Sequence, residues 1–160
     1  MRKTGRNGID LIRAREGTVL SVYLDSRGLP TVGTGHLVRY ADGLKLGDHI
    51  TEDRAEKFLE NDLGIAEAAV NRYCPDLPTQ NAFDALVDFT FNEGTGNLRQ
   101  LVQNADGVPT VIAEHFSHYT RSGTDHPRGL RIRRALERDL FLAPEGPMPD
   151  GWLSAHNEIA

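Results

Sequence analysis

The apolar pattern of the chain changes period within one short segment, Glu16-Gly-Thr-Val-Leu-Ser-Val-Tyr-Leu-Asp25-Ser-Arg-Gly-Leu-Pro-Thr31-Val-Gly-Thr-Gly-His36. Just before it, Ile9-Asp-Leu-Ile-Arg-Ala-Arg15 carries apolar residues at helical spacing, so Glu16 falls where a helix ends. Gly17 fits the left-handed stop that closes many helices. From Val19 to Thr34, β-branched and aromatic residues flank Ser26-Arg27-Gly28, which predicts a hairpin. One carboxylate, Glu16, is therefore expected at a helix end and another, Asp25, on an adjacent small sheet. That placement lets two acids face each other across a cleft.

The elements that follow are helical. Leu37 to Ile50 reads as a mixed connector with Gly43 and Gly47. Thr51 is a good N-cap, and Glu52 and Asp53 follow it where the helix dipole favours negative charge. Phe58, Leu59, Leu63, Ala66, Val70 and Tyr73 then recur at helical spacing, which predicts a helix from about 51 to 73, long enough to link two lobes. Another helix is expected from Thr79 to Asn92-Glu-Gly94-Thr-Gly96. Ala82, Phe83, Leu86, Val87, Thr90 and Phe91 make it broad-faced, the centre of a helical lobe. Shorter helices are predicted around Leu98–Gln103 and Val111–Tyr119. A loop over 121–128 leads to a last helix of about 128–142, with Leu130, Ala135, Leu140 and Phe141 on its apolar side. The expected fold class is α+β and mostly helical. A single domain spans 1–143, with a small lobe over 16–55, the linking helix over 51–73, and a helical lobe over 74–142 joined by the N-terminal helix. The tail over 144–160 is rich in Pro and Gly; Trp152 would either dock it or leave it disordered.

Composition narrows the function. At 160 residues the chain suits one domain with a sizeable core. Its single cysteine, Cys74, excludes an internal disulfide and a cysteine-based metal cluster, and is expected to pack as a small hydrophobe at a helix end. Net charge is −5 and unevenly spread: basic residues gather at the N-terminus and over 121–138, while the middle of the chain is acidic. That is not the footprint of a nucleic-acid binder. No apolar run approaches the roughly 20 residues a membrane-spanning helix needs, and Met1 to Gly8 are polar and basic with no apolar stretch behind them, so neither membrane insertion nor a signal peptide is expected. His49, His115, His118, His126 and His156 show no metal-ligand spacing, and loop or helix-surface roles are expected for them.

Four segments in order carry a resemblance. Glu16-Gly17, Tyr23-Leu24-Asp25 and Thr31-Val32-Gly33-Thr34-Gly35-His36 match the Glu-Gly, Tyr-x-Asp and Thr-x-Gly-x-Gly-His pattern of phage-type lysozymes, glycoside hydrolase family 24, which includes the T4 and lambdoid endolysins. Ile50–Leu59 resembles the start of that family's inter-lobe helix, Ala85–Gly94 its central helix, and Gly129-Leu-Arg-Ile-Arg-Arg134 with Glu137 its last segment. The likeness covers about residues 8–142 and implies a two-lobed lysozyme-like fold. The chain departs from the pattern in three places: Tyr119 stands where a tryptophan is frequent, the protein is acidic, and the tail after Ala143 has no counterpart.

The resemblance implies a muramidase that cleaves β-1,4 bonds between N-acetylmuramic acid and N-acetylglucosamine in bacterial peptidoglycan, without cofactor or metal. Glycoside hydrolysis needs a proton for the leaving oxygen and a carboxylate that supports an oxocarbenium-like centre or activates water. By chemistry and resemblance, Glu16 is the general acid, Asp25 the second carboxylate and Thr31 a holder of the water. Each also has a plainer reading: a solvated helix-end charge, a turn residue and a β-former. His36 is expected to be structural, paired with an acid on the long helix, Asp62 by preference. Leu37, Phe91 and Asn92 are the expected substrate contacts, and Phe91 suits the core equally well. Arg133 or Arg134 is expected near Glu16, with surface exposure the alternative for at least one. A lytic transglycosylase would use one Glu and would not need Asp25 and Thr31. A non-catalytic wall-binding module need not retain the set at all. The expected form is a monomer held in the host cytoplasm until a separate holin, or else a secretion apparatus or phage tail, delivers it to the wall.

Overall fold

The computed structural model describes residues 1–121 and 127–156; His126 and most of the loop preceding the last helix lie outside them. The elements in order are α1 (Arg6–Glu16), β1 (Val19–Leu24), β2 (Pro30–Gly33), β3 (His36–Leu37), α2 (Glu52–Tyr73), α3 (Gln80–Asn104), α4 (Pro109–His115) and α5 (Arg128–Leu142), with 3-10 turns at Tyr40–Asp42, Phe116–His118 and Trp152–Ser154. The chain divides into two compact units, Ile12–Ile65 and Met1–Leu11 with Ala66–Ala160, so the division falls within α1 and within α2.

The first unit is built on an antiparallel sheet of order β1-β2-β3. Tyr23 stands opposite Thr31 and Thr31 opposite Leu37, while Val32 pairs with His36. Directly opposed residues share a face, so Tyr23, Thr31 and Leu37 line one side and Val32 and His36 the other. Val22, Val32, Ile50 and Ala55 form the core of this unit, with Leu20, Val38, Leu44 and Phe58 packed against it. The strand β3 and the turn at Tyr40–Asp42 occupy what reads in sequence as a connector; two residues are too few to show an alternation. Thr51 caps α2 as expected, accepting Arg54 N–H at 3.2 Å. Ion pairing between Arg13 and Glu56 ties α1 to α2 within the unit.

In the second unit α3 is central. Thr79 caps it by accepting Ala82 N–H at 3.0 Å, and every residue from 81 to 90 is buried. Helical geometry breaks at Gly94 (φ 85°, ψ 164°), where the sequence predicts an end, and resumes at once through the segment expected to be separate. Phe89, Phe116, Tyr119 and Phe141 pack edge to face, with ring centroids 4.9–5.8 Å apart. Fully burying one such ring contributes roughly 1.5–3 kcal/mol. The inner face of α5 differs from the expected one. Leu130 and Ala135 are only half-buried; the buried set is Ile132, Leu136, Leu140 and Phe141 together with three charged residues, Arg133, Arg134 and Glu137. Exposure of either arginine is thereby overturned.

The tail is docked along residues 144–156. Asn81, itself buried, donates to Pro144 O at 2.6 Å and Gly146 O at 3.0 Å, and Asn7 donates to Gly146 O at 3.0 Å. Glu145 accepts the N–H of Gln80 at the start of α3 (2.7 Å), and His156 meets Asp139 at 2.7 Å. Cys74 follows the end of α2, half-buried, and burial pushes its thiol up to about 11.

Candidate active site

Glu16 is the last residue of α1, and Gly17 N–H closes the helix on Arg13 O at 2.9 Å. The half-buried Glu16 carboxyl group lies against the turn between β2 and β3. A Cβ added to Gly35 would stand 3.3 Å from Glu16 Oε2, and Gly35 adopts φ +77°, so both space and backbone geometry call for glycine. Gly33 serves the packing beneath: its φ is +65°, and a Cβ there would stand 3.4 Å from Ala55 Cβ on α2. The two glycines of the Gly-x-Gly pattern thus have separate duties, one toward the acid and one toward the core.

Asp25 closes the hairpin. Its Oδ1 accepts backbone N–H groups from Arg27 and Leu29, both at 2.8 Å. Its Oδ2 faces the Arg27 guanidinium, with Nε at 3.3 Å and Nη2 at 3.2 Å. The Leu29 N–H, then the Arg27 backbone and side chain, hold the Asp25 carboxyl below the usual carboxylate range against a smaller opposing effect of desolvation. Asp25 is therefore an ionised acceptor at neutral pH.

Thr31 is buried and donates its hydroxyl to Leu29 O at 3.1 Å. With its proton committed there, the oxygen can accept a hydrogen bond. Leu29 joins the two candidates: its N–H binds Asp25 Oδ1, and its carbonyl accepts both the Thr31 hydroxyl and the Asp25 N–H, the latter at 2.9 Å. Leu37, across from Thr31 on β3, is 40% exposed, an apolar neighbour on the same face.

His36 is structural, as its sequence context predicts. Nδ1 meets Asp62 Oδ2 at 2.7 Å, and the ring stacks on Phe58 at 4.0 Å between centroids. A second acid, Asp42, meets Nε2 at 3.2 Å. Burial of Asp42 opposes its ionisation, but the Arg39 N–H and His36 outweigh it and hold the carboxyl below the usual range. Only the turn signal of Asp42-Gly43 marks this acid in sequence.

Phe91 and Asn92 belong to the other unit, both half-buried near the break in α3. Asn92 Oδ1 accepts Arg134 Nη2 at 2.8 Å, which fixes the amide and leaves Nδ2 as a donor. Arg134 also binds Glu93 (2.9 Å) and Glu137 (2.6 Å) and lies over Phe89 at 5.0 Å. Arg133 grips Asp88 in a bidentate pair at 2.7 and 3.0 Å. Burial opposes the charge on both acids, but Arg133 prevails at Asp88 and holds it low; Glu137, buried beside that carboxylate, is pushed well above the ordinary range. Among the described residues, no three His, Cys, Asp or Glu side chains gather as metal ligands do.

A family model described as phage lysozyme matches residues 13–137, a span that opens just before Glu16 and closes on the buried Glu137. The chain belongs to the phage lysozyme family. Against the endolysin of Salmonella phage P22 it is 34% identical over 151 residues, covering 89% of this chain and 100% of the relative. The endolysin of Bacillus phage PZA is also 34% identical, over 142 residues, but there the match covers 84% of this chain and 53% of the longer relative. Among solved structures, the muramidase domain of SpmX from Asticaccaulis excentricus superposes with a TM-score of 0.77 at 30% identity, covering 90% of this chain and 100% of that one. The fold is thus the α+β, mostly helical fold of phage lysozymes, and the protein is a glycoside hydrolase of the lysozyme class. In this phage lysozyme Tyr119 packs edge-on to Phe89, with ring centroids 4.9 Å apart.

Proposed function

We propose that this phage lysozyme hydrolyses the β-1,4 bond between N-acetylmuramic acid and N-acetylglucosamine of bacterial peptidoglycan. Glu16 protonates the leaving glycosidic oxygen. Asp25, already ionised, and the acceptor oxygen of Thr31 orient a water toward the anomeric carbon; the proton of that water passes to Asp25 as its oxygen bonds to carbon. The observation that carries this reading is the Leu29 relay, which holds the Asp25 carboxylate through its N–H and the Thr31 hydroxyl through its carbonyl. Leu37, Phe91 and Asn92 contact the saccharide, Leu37 with an apolar edge and Asn92 through Nδ2 to an N-acetyl or hydroxyl oxygen. A water held by Thr31 favours inversion of configuration.

Mass spectrometry of digested peptidoglycan tests the reaction: products carrying one added water support it, and anhydro products would establish a transglycosylase. Proton NMR of the first product gives the anomer, α for inversion. By the same reading the enzyme works as a monomer on the wall, accumulates in the host cytoplasm, and gets out through a membrane hole supplied by a separate holin. Lysis on cytoplasmic expression should then require holin co-expression.

A further inference from the structure

We propose that Arg27 is a specificity-determining residue that caps Asp25 Oδ2 in the free enzyme and moves its guanidinium to a substrate carboxylate when the saccharide binds. The inference rests on the role of Asp25 given above. The two oxygens of Asp25 are unequal. Oδ1 is held by two backbone N–H groups at 2.8 Å. Among the described residues, Oδ2 meets only the Arg27 side chain, at 3.2 and 3.3 Å, which is long for a charge-assisted bond. The Arg27 side chain is 68% exposed, so it approaches the Asp25 side chain, 18% exposed, from the solvent side, where such contacts exchange readily. Removing the cap leaves Asp25 in place, because the backbone N–H groups hold it.

Peptidoglycan differs from a neutral glycan in its carboxylates: the lactyl group of muramic acid ends in one, free or joined to a peptide that carries its own. A planar guanidinium beside the reacting carboxylate suits bidentate capture of such a group. Among the described residues, Asp25 is the only carboxylate paired with Arg27, so a substrate anion competes with a single partner. As Arg27 leaves, Oδ2 loses an adjacent positive charge and becomes a better proton acceptor at the moment the saccharide is seated.

The test reads binding, so it does not depend on turnover. Glu16→Gln and Glu16→Gln/Arg27→Ala proteins are titrated calorimetrically with three tetrasaccharides of alternating N-acetylglucosamine and N-acetylmuramic acid. In one the lactyl groups are free acids, in another methylamides, and in the last amides of L-alanyl-D-glutamate. Glu16→Gln should bind at least one acidic form about fivefold tighter than the methylamide, as an exposed ion pair allows. Arg27→Ala should erase that gain. A gain with the free acid assigns the sugar's own carboxylate; a gain only with the dipeptide assigns the peptide's. Equal binding of all three, no binding of any, or a gain that survives Arg27→Ala would overturn the proposal. Failure of the wild type to hydrolyse peptidoglycan would count instead against the role of Asp25.

Discussion

Gly35 shows how closely the backbone is fitted to the acid. Its φ of +77° and the 3.3 Å from an added Cβ to Glu16 Oε2 mean that Gly35→Ala strains the turn and pushes on the carboxyl group together. That variant should lose about 1–2 kcal/mol of stability, measured by urea unfolding, and a larger share of its lytic rate than the stability loss explains. Thr31→Val separates chemistry from packing. It keeps the shape and removes the hydroxyl, while Leu29 O still accepts the Asp25 N–H, so stability should change by less than about 1 kcal/mol while the rate on purified walls falls at least about tenfold. At this scale the sequence is readable where a residue type is demanded by chemistry or by the φ of a turn, which is why Glu16, Asp25 and the His36–Asp62 pair stand out. Asp42 and Arg27 are less visible, because their roles come from a turn bringing a side chain back onto its neighbour and neither shows a spacing of its own.

Among the elements, α3 and α5 bury charges whose signs decide how stability follows pH. Glu137 is raised above its unfolded value, so the stability it contributes is present below the ordinary carboxylate pKa of about 4 and is lost as pH rises through the folded value. Asp88 is depressed by Arg133; its contribution is present above about 4 and lost as pH falls through its lowered value. Glu137→Gln should therefore flatten the fall in stability that begins as pH rises above about 4, read from urea midpoints across pH. Asp88→Asn breaks the bidentate pair and should cost about 3–5 kcal/mol, read from urea midpoints. Helix existence is legible because α2, α3 and α5 are long and periodic; the inner face of α5 is not, since its buried arginines read as surface until Asp88 and Glu93 are placed opposite them.

For the molecule as a whole, the tail and the proposed catalytic set lie at opposite ends of what a sequence can reveal. The docking of residues 144–156 depends on Asn81 and Asn7, far away in the chain, meeting two carbonyl groups, and no local pattern announces it. Truncation after Ala143 removes those carbonyls and should cost about 1–3 kcal/mol through the buried Asn81 amide, seen as a lower Tm. The proposed catalytic set is compact in sequence, so its glycine-punctuated pattern points to the family before any fold is known. The most direct test of the account is the lysis of purified peptidoglycan by Glu16→Gln protein shown by circular dichroism to be folded. Loss of about 100-fold or more in rate is predicted, in line with removal of a general acid; lysis at the wild-type rate would contradict it.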